Sequence, residues 1–302
     1  MANIVTYKNG NYNVILDLND GTMIRYTEAD QLRPEFPDSM DVKITNRCDR
    51  GCPWCHEKST KDGCHANWSS LEKFIVGLPQ HTQLALGGGN VLQYPWLTEL
   101  LLLCKDSELV PSITVNQAHF MDKDNQKYLR KLVNEKLLYG LGVSLERVTP
   151  AFIEQIETFP NAVIHVIAGV ISMKELELLA NRNLKILILG YKEFGRGVDY
   201  LDQCHKTVSR NLHALRIDLR RMIAQDWFSN ISFDNLALRQ LDVRSLLTDQ
   251  EWNEFYMGAD GVSTMYVDMV KEQFARCSTA HKRYPLLEDI REMLAVIHRE
   301  RE

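Results

Sequence analysis

The sequence predicts an α/β fold in the form of a partial (β/α)6 TIM-like barrel, with an N-terminal β-meander and a C-terminal α+β extension. From residue 41 onward, apolar β-like runs alternate six times with helical patterns, as expected of parallel strands joined by right-handed helical crossovers. Several of these runs are continuously apolar, which is typical of parallel strands covered on both faces. Because a closed barrel of this kind has eight units, six units predict an incomplete one.

The N-terminal residues 3–27 predict a small β-meander. Asn9-Gly10 and Asn19-Asp20-Gly21 are turn signals, and they separate runs in which apolar and polar residues alternate. Three strands of this length are too few to be stable by themselves. We therefore interpret residues 1–40 as an accessory element of the main domain.

The main domain is predicted to span residues 41–197. Three of its helices have a recognisable start: two have the spacing of a capping box and one has a cap followed by a first-turn proline. These signals are Ser69 with Glu72, Ser172 with Glu175, and Thr149 with Pro150. The six predicted strands are residues 42–45, 83–86, 112–115, 139–145, 162–170 and 184–189.

Residues 198–302 are predicted to form a C-terminal region that closes the open side of the barrel. A long helix is expected over residues 201–223, because Leu212, Leu215, Leu219 and Met222 lie on one stripe. Two β-like runs follow, at residues 231–241 and 265–270. Apolar residues between 286 and 297 then predict an amphipathic final helix that packs back on the body. We expect the region after residue 198, which includes this helix, to cover the carboxyl ends of the strands.

Composition narrows the range of functions. The chain has 302 residues, 45% of them hydrophobic, and a net charge of −5 with both signs interspersed. This balance does not favour a general binder of nucleic acid or membrane surfaces. The N-terminus lacks the pattern of a signal peptide, and the apolar runs are too short to span a membrane. We expect a cytoplasmic protein with no membrane partner, and its seven cysteines do not form a disulfide framework.

Three of the cysteines lie within eight residues. Cys48, Cys52 and Cys55 follow the first predicted strand of the barrel directly. Three thiolates from one loop can bind three irons of a cubane cluster and leave the fourth iron without a protein ligand. A zinc site is the alternative, although zinc loops usually contain a second pair of cysteines, and this chain has no such pair.

The C-x3-C-x2-C spacing, with Trp54 directly before the last cysteine, resembles the signature of the radical S-adenosylmethionine (SAM) enzymes. The resemblance implies a [4Fe-4S] cluster on the three cysteines and SAM bound at the open iron, next to Trp54. It also implies an external one-electron donor, similar to flavodoxin or ferredoxin. SAM would be cleaved to a 5′-deoxyadenosyl radical, which abstracts hydrogen from a substrate.

A run of glycines ends the second predicted strand of the barrel. In the order Gly88, Gly89 and Asn90, it resembles the Gly-Gly-Glu motif that binds the amino group of SAM in that family. Glycines at a strand exit also let a ligand approach the backbone closely, although a plain tight turn is the simpler interpretation. Asn90 stands where the family has Glu, so a neutral amide replaces a carboxylate.

Other strand exits predict further contacts with SAM. The resemblance places Asn116 and Ser144 near its ribose or methionine portion, and the backbone of Gly190 and Tyr191 near its adenine. Considered singly, Asn116 and Ser144 are as readily explained as caps or turn residues.

Several other polar residues have less definite interpretations. His165 lies within an apolar run and is predicted to be a core histidine. Lys192 and Arg196 are either solvated loop charges or contacts for an anionic substrate. His56, Glu57, Lys58 and His119 lie near the predicted site without an assigned role. The scattered Cys64, Cys104, Cys204 and Cys277 predict no second cluster.

Three functional classes remain open on the sequence alone. The first is a radical SAM enzyme acting on a peptide, a nucleotide or nucleoside, or a small metabolite. The second is a zinc-stabilised binding protein. The third is a cluster-based module that senses SAM or redox state without turnover. Most of the chain is similar to uncharacterised radical SAM proteins of bacteria and phages, and residues 256–261 loosely resemble family members that act on peptides.

Overall fold

The computed structural model describes residues 3–19 and 21–301. Its main feature is a ten-stranded sheet in the order β10-β9-β8-β7-β6-β5-β4-β11-β12-β13. The strands from β10 to β11 in this order are all parallel, and β12 and β13 continue the sheet in antiparallel fashion. The strands are β4 (Ser39–Thr45), β5 (Gln83–Gly88), β6 (Val110–Asn116), β7 (Gly140–Ser144), β8 (Ala162–Ile167), β9 (Lys185–Leu189), β10 (Asn230–Phe233), β11 (Thr264–Asp268), β12 (Gln273–Ala275) and β13 (Tyr284–Pro285).

The predicted β-meander forms a separate three-stranded antiparallel sheet. It consists of β1 (Ile4–Asn9), β2 (Tyr12–Asp17) and β3 (Met23–Tyr26). Its own small core packs on Val110 at the start of β6, so the meander rests on the large sheet as an accessory. Asp20, in the second predicted turn, lies outside the described residues.

Helices connect the parallel strands and cover one face of the sheet. Alternate strand residues such as Val42, Leu86 and Ile113 point into a single apolar core together with helix residues. The helices are α1 (Trp68–Val76), α2 (Leu97–Asp106), α3 (Gln117–Phe120), α4 (Lys123–Asn134), α5 (Pro150–Ile156), α6 (Met173–Leu179), α7 (Arg196–Ala224), α8 (Asn235–Gln240), α9 (Asp249–Phe255) and α10 (Ile290–Arg301). Of the helices in the described ranges, none is both long and apolar enough to cross a membrane.

All six predicted strands of the main domain are present, as β4 to β9. The caps predicted at Thr149 and at Ser172 are also present: Thr149 accepts a hydrogen bond from the backbone of Phe152, and the side chain of Glu175 accepts from Ser172. The cap predicted at Ser69 is wrong. Asn67 caps α1 instead, because an asparagine is as strong a cap as a serine and comes two residues earlier.

The C-terminal region adds a strand on each side of the predicted sheet: β10 pairs with β9, and β11 pairs with β4. The prediction of one β-like run over residues 231–241 is wrong in its second half. Asp234 ends the strand and caps α8 by accepting from the backbone of Ala237 at 2.7 Å. The good helix formers that follow Asp234 then favour a helix.

The final helix does not cover the carboxyl ends of the strands. The Nε2 atom of His298 in α10 lies 2.9 Å from the carbonyl oxygen of Val262, and Arg291 pairs with Glu35 at 2.6 Å. Val262 precedes β11 and Glu35 precedes β4, so α10 packs at the amino ends of these strands. The final helix therefore does not roof the site. The buried Met293, Leu294 and Ile297 make it part of the core, as expected of a helix that packs back on the body.

Candidate functional site

The cysteine loop begins directly after β4. Cys48, Cys52 and Cys55 are free and partly exposed. The loop is held by its own backbone, because Cys48 donates a hydrogen bond to the carbonyl of Thr60 at 2.7 Å and Cys55 donates to that of Cys52 at 3.2 Å. Three thiols are thus presented from one constrained loop at the carboxyl end of a parallel strand, where functional sites of such sheets form.

Arg196, at the start of α7, links the cysteine loop to the segment that follows β9. Its guanidinium donates to the carbonyl of Cys52 at 2.9 Å and to that of Ser59 at 3.0 Å, and its backbone N–H donates to the carbonyl of Cys55 at 3.0 Å. Arg196 is therefore neither a solvated loop charge nor free for an anionic substrate in this structure. Its neighbour Lys192 donates to the hydroxyl of Ser278 at 3.0 Å.

A polar cluster from three strand exits surrounds Cys52. The carboxylate of Glu146 lies 3.8 Å from the Cys52 sulfur, and the side-chain amide of Asn116 lies 3.7 Å from the same atom. Asn116 also donates to Glu146 at 3.0 Å, and Arg50 binds both carboxylate oxygens of Glu146 at 2.8 Å. Asn116, predicted to contact SAM, thus lies beside the cysteines.

The protonation of these groups follows from their surroundings. Burial, and then the nearby carboxylate of Glu146, raises the pKa of Cys52 to about 11. Burial alone would raise the pKa of Glu146, but the hydrogen bonds from Arg50 and Asn116 outweigh it and leave this pKa lowered. The Cys52 thiol therefore needs a cation, such as iron, to become a thiolate at neutral pH.

The glycines at the exit of β5 pack tightly against the cysteine loop. A side chain on Gly88, whose φ is 110°, would lie 2.2 Å from the carbonyl oxygen of Thr45, and one on Gly89 would lie 2.1 Å from that of Arg47. The backbone N–H of Gly89 also donates to Thr45 at 2.8 Å. The glycines therefore let the loop approach β5, and their predicted contact with SAM stays a prediction.

Asn90 joins a small hydrogen-bonded group with Asp49 and His119. Its side-chain carbonyl accepts from the backbone N–H of Leu92 at 3.2 Å, and its amide nitrogen lies 3.4 Å from a carboxylate oxygen of Asp49. The same Asp49 oxygen lies 2.8 Å from the Nε2 atom of His119. Burial raises the pKa of Asp49, but its own backbone N–H and His119 outweigh this and hold the pKa below its usual value.

The other predicted SAM contacts lie along the same end of the sheet. Ser144 ends β7, opposite Asn116, and Trp54 packs edge-on against Tyr200 with ring centroids 5.4 Å apart. Asp234 accepts from the backbone of Gly190 at 2.9 Å. Tyr191 exchanges two backbone hydrogen bonds with the Gln240 side chain, at 2.8 and 3.0 Å, so its exit is held by α8.

A buried ionic network lies between the cysteine loop and β11. Lys43 of β4 pairs with Glu57 at 2.7 Å and with Asp268 at 3.2 Å, and the hydroxyl of Tyr266 donates to Glu57 at 2.9 Å. Glu57, unassigned in the sequence, thus links the loop to the C-terminal strand. His56 lies beside it, and its burial near Lys192 lowers the pKa of its imidazole well below the usual value.

His165 occupies a different environment from the predicted one. On β8 it alternates with the buried Ile164 and Val166, so it faces away from the helix-packed core. A side chain at Gly142 would collide with its imidazole, and no described residue forms a hydrogen bond with that ring. Burial lowers the pKa of His165 to about 4, so the ring is neutral at pH 7. It is not the satisfied core histidine that the sequence predicts.

A cavity of about 820 Å³ lies along the starts of β4 and β5 and along β10. Strands β4 and β5 line it near their starts, through Asp41 and Ala85 among others, and α9 and β11 contribute further walls. Its lining includes none of the predicted cysteine or SAM contacts. The cavity therefore does not coincide with the candidate site, which lies at the cysteine loop.

The arrangement of the three thiols fits a cubane cluster better than a single zinc ion. Within the described residues, no three His, Cys, Asp or Glu side chains converge as they would around one ion. In a cubane each thiolate binds a different iron, so the three sulfurs need not converge on one point. Three free thiols on one loop fit the ligand set of such a cluster. Cys104 is buried in the core, as predicted.

Several residues of the site were not assigned from the sequence. Asp49 contacts Asn90 and Glu146 contacts Cys52, whereas Arg50 binds Glu146. Glu146 had a signal, because it follows Ser144 at the same strand exit. Asp49 and Arg50 had only their position between Cys48 and Cys52, and that position does not indicate which strand exits they meet.

Comparisons with known proteins place this fold. No family model matches the sequence, and no curated protein matches it. Streptococcus suis SuiB bound to S-adenosylmethionine is similar in structure, with a TM-score of 0.62 and 12% identity, over 97% of this chain and 86% of that one. SuiB bound to the precursor peptide SuiA gives a TM-score of 0.59 and 11% identity, over 91% and 82%.

A second solved protein gives the same result. Native anSMEcpe with bound AdoMet and the Cp18Cys peptide has a TM-score of 0.53 and 12% identity, over 85% of this chain and 78% of that one. SuiB and anSMEcpe are radical SAM enzymes. The likeness is one of fold. It shows that this chain has the mixed α/β architecture of those enzymes, with a large parallel sheet and flanking helices.

Proposed function

We propose that this protein is a radical SAM enzyme with one [4Fe-4S] cluster. The observation that carries the proposal is the loop of three free, partly exposed thiols at the carboxyl end of β4, in a fold shared with SuiB and anSMEcpe. The domain limits predicted from the sequence, with a partial (β/α)6 barrel over residues 41–197, belong to this proposal.

Cys48, Cys52 and Cys55 would each hold one iron, and SAM would bind at the fourth. The cluster and SAM would supply the chemistry. After reduction by a flavodoxin- or ferredoxin-like donor, SAM would be cleaved to a 5′-deoxyadenosyl radical that abstracts hydrogen from the substrate. The protein binds, orients and excludes water around these groups. Arg196 contributes by holding the backbone of Cys52 and Cys55 in place.

The proposed SAM contacts share the end of the sheet that carries the cysteines. Gly88, Gly89, Asn90, Asn116 and Ser144 end β5, β6 and β7 or directly follow them. Gly190 and Tyr191 follow β9, and Trp54 lies in the loop itself. Because the carboxyl ends of parallel strands meet at one edge, we assign these residues to one SAM-binding site.

Peptides are the substrate class with the most support. The solved structures that the chain resembles include SuiB with the precursor peptide SuiA and anSMEcpe with the Cp18Cys peptide. Nucleotides and small metabolites have no comparable support among these structures.

The test begins with anaerobic purification from iron-replete cells. We expect a brown protein with close to four irons per chain, the stoichiometry of a cubane, and loss of iron when Cys48, Cys52 and Cys55 are replaced by Ala. Cys64→Ala and Cys204→Ala are matched controls that should keep the iron. Stoichiometric zinc in place of iron would establish the zinc-stabilised binding protein instead.

Turnover distinguishes the enzyme from the sensing module. Protein reduced with dithionite and mixed with SAM should release 5′-deoxyadenosine slowly, because cluster and SAM carry the difficult step themselves. A protein that binds both iron and SAM yet never forms 5′-deoxyadenosine with any donor would be a sensor.

A further inference from the structure

Asp49 presents a carboxylate at the exit of β5. Its side chain is 45% exposed, although one of its oxygens lies 2.8 Å from the Nε2 atom of His119 and 3.4 Å from the amide nitrogen of Asn90. His119 itself is only 11% exposed. The carboxylate is thus anchored at one oxygen by a nearly buried imidazole while much of the group stays open to a ligand.

The orientation of Asn90 is fixed by a backbone donor. Its side-chain carbonyl accepts from the N–H of Leu92 at 3.2 Å, so the amide cannot be turned without placing two donors against each other. Its NH2 group therefore faces Asp49, at 3.4 Å, and the Nε2 atom of His119, at 3.2 Å. In this arrangement Asn90 is better placed to position a carboxylate than to accept a hydrogen bond from a cation.

Two other carboxylates near the cysteines already have cationic partners. Glu146 binds the Arg50 guanidinium through both oxygens, and Glu57 pairs with Lys43. Asp49 instead has an amide and an imidazole as its partners. Among the described residues, no Lys or Arg side chain forms an ion pair with Asp49.

We propose that Asp49 binds the ammonium group of SAM, with Asn90 and His119 as its positioning residues. This inference rests on the proposed function. SAM carries an ammonium at its amino-acid end, and an ionised carboxylate is the natural partner for it. The negative charge that Asn90 cannot supply comes from the cysteine loop itself, one residue after Cys48.

The test is a titration of the anaerobic, cluster-loaded protein with radiolabelled SAM by equilibrium dialysis. Asp49→Asn keeps the side-chain shape and removes the charge. Because hydrogen bonds to charged groups are stronger than those between neutral groups, the dissociation constant should rise about 10- to 150-fold. Iron content should not change. Asp62→Asn, which removes an exposed charge from the same segment, is the matched control and should bind SAM normally.

Two further measurements separate charge from shape. The SAM analogue with hydrogen in place of the amino group should bind wild type and Asp49→Asn equally well. Asn90→Asp, added to Asp49→Asn, returns a carboxylate to the same place and should recover at least part of the lost affinity.

Each failure has a distinct meaning. Normal SAM affinity in Asp49→Asn would overturn the inference and leave the proposed function intact. Equal weakening of SAM and the analogue would overturn it too, by showing that Asp49 only shapes the loop. A wild-type protein that holds iron but does not bind SAM would overturn both.

Discussion

Two ionic groups flank the cysteine loop, and they differ in how much water reaches them. The pair of Arg50 and Glu146 has side chains that are 32% and 29% exposed. In the network of Lys43, Glu57 and Asp268, the side chains are only 5%, 12% and 9% exposed. Both contain charges of opposite sign in contact, yet their physical roles differ.

This difference indicates that the end of the loop near Glu146 can rearrange, whereas the end near Lys43 is held in one arrangement. A partly exposed pair contributes little to stability, because water and salt screen it, so a ligand can rearrange it at small cost. A buried network that loses one member leaves an unpaired charge in the protein interior. Glu146 therefore lies at the end of the loop that can rearrange, and Lys43 lies where the C-terminal strand contacts the loop.

The largest effect on stability is expected from a substitution that breaks the buried network. Lys43→Ala leaves Glu57 and Asp268 close together without a cation, which should lower the free energy of unfolding by about 3–5 kcal/mol. Urea denaturation measures this. Lys73→Ala is the matched control, because Lys73 pairs with Glu288 on the surface, where the side chains are 71% and 85% exposed. It should change stability by less than about 1 kcal/mol, and equal losses in both variants would contradict the comparison.

His165, a partly buried histidine without a charge partner, sharpens the comparison. The pKa of His165 is lowered to about 4, against about 6.5 in an unfolded chain. The unfolded state thus binds more protons below pH 6.5, so stability is complete above that pH and declines as the pH falls toward 4.

Between pH 7 and pH 5 the wild type should lose about 2 kcal/mol more than His165→Gln. Denaturation curves at several pH values measure the difference. His205→Gln, which alters an exposed histidine on α7, controls for the substitution itself. Parallel pH profiles of wild type and His165→Gln would mean that the His165 ring is open to solvent.

The smallest effect on stability is expected from a substitution that breaks the exposed pair of Arg50 and Glu146. Glu146→Gln removes one charge and keeps the shape, so the free energy of unfolding should change by less than about 1 kcal/mol, and less still at high salt. Thermal denaturation at two salt concentrations measures it. A loss as large as that of Lys43→Ala would show that Glu146 belongs to the fixed end of the loop.

The sequence predicts those parts of the molecule whose signals are local. Strands β4 to β9 are apolar or alternating runs, and the cap at Thr149 stands directly before a proline. Each could therefore be located from its own residues. The prediction of one β-like run over residues 231–241 is wrong in its second half, because Asp234 both ends a strand and begins a helix. Nothing apolar distinguishes that boundary.

The residues of the candidate site likewise differ in whether they have a local sequence signal. The cysteines could be found because their spacing is itself the signal. Glu146 and Asp268 could not be joined to the loop, because they come from strands far along the chain and only the sheet order brings them near it. The role of Arg196 was missed for a related reason, since its partners are backbone carbonyls, which have no sequence signature.

The position of β11 has a consequence for how the protein is made. This strand lies beside β4, although almost the whole sheet-forming chain separates the two. Closing so long a loop is entropically unfavourable and slow, so this pairing should be among the last to form. During synthesis the three cysteines leave the ribosome well before Asp268. The nascent chain therefore exposes its thiols before their final support exists, and a truncation before residue 264 would leave Lys43 without one of its two carboxylate partners.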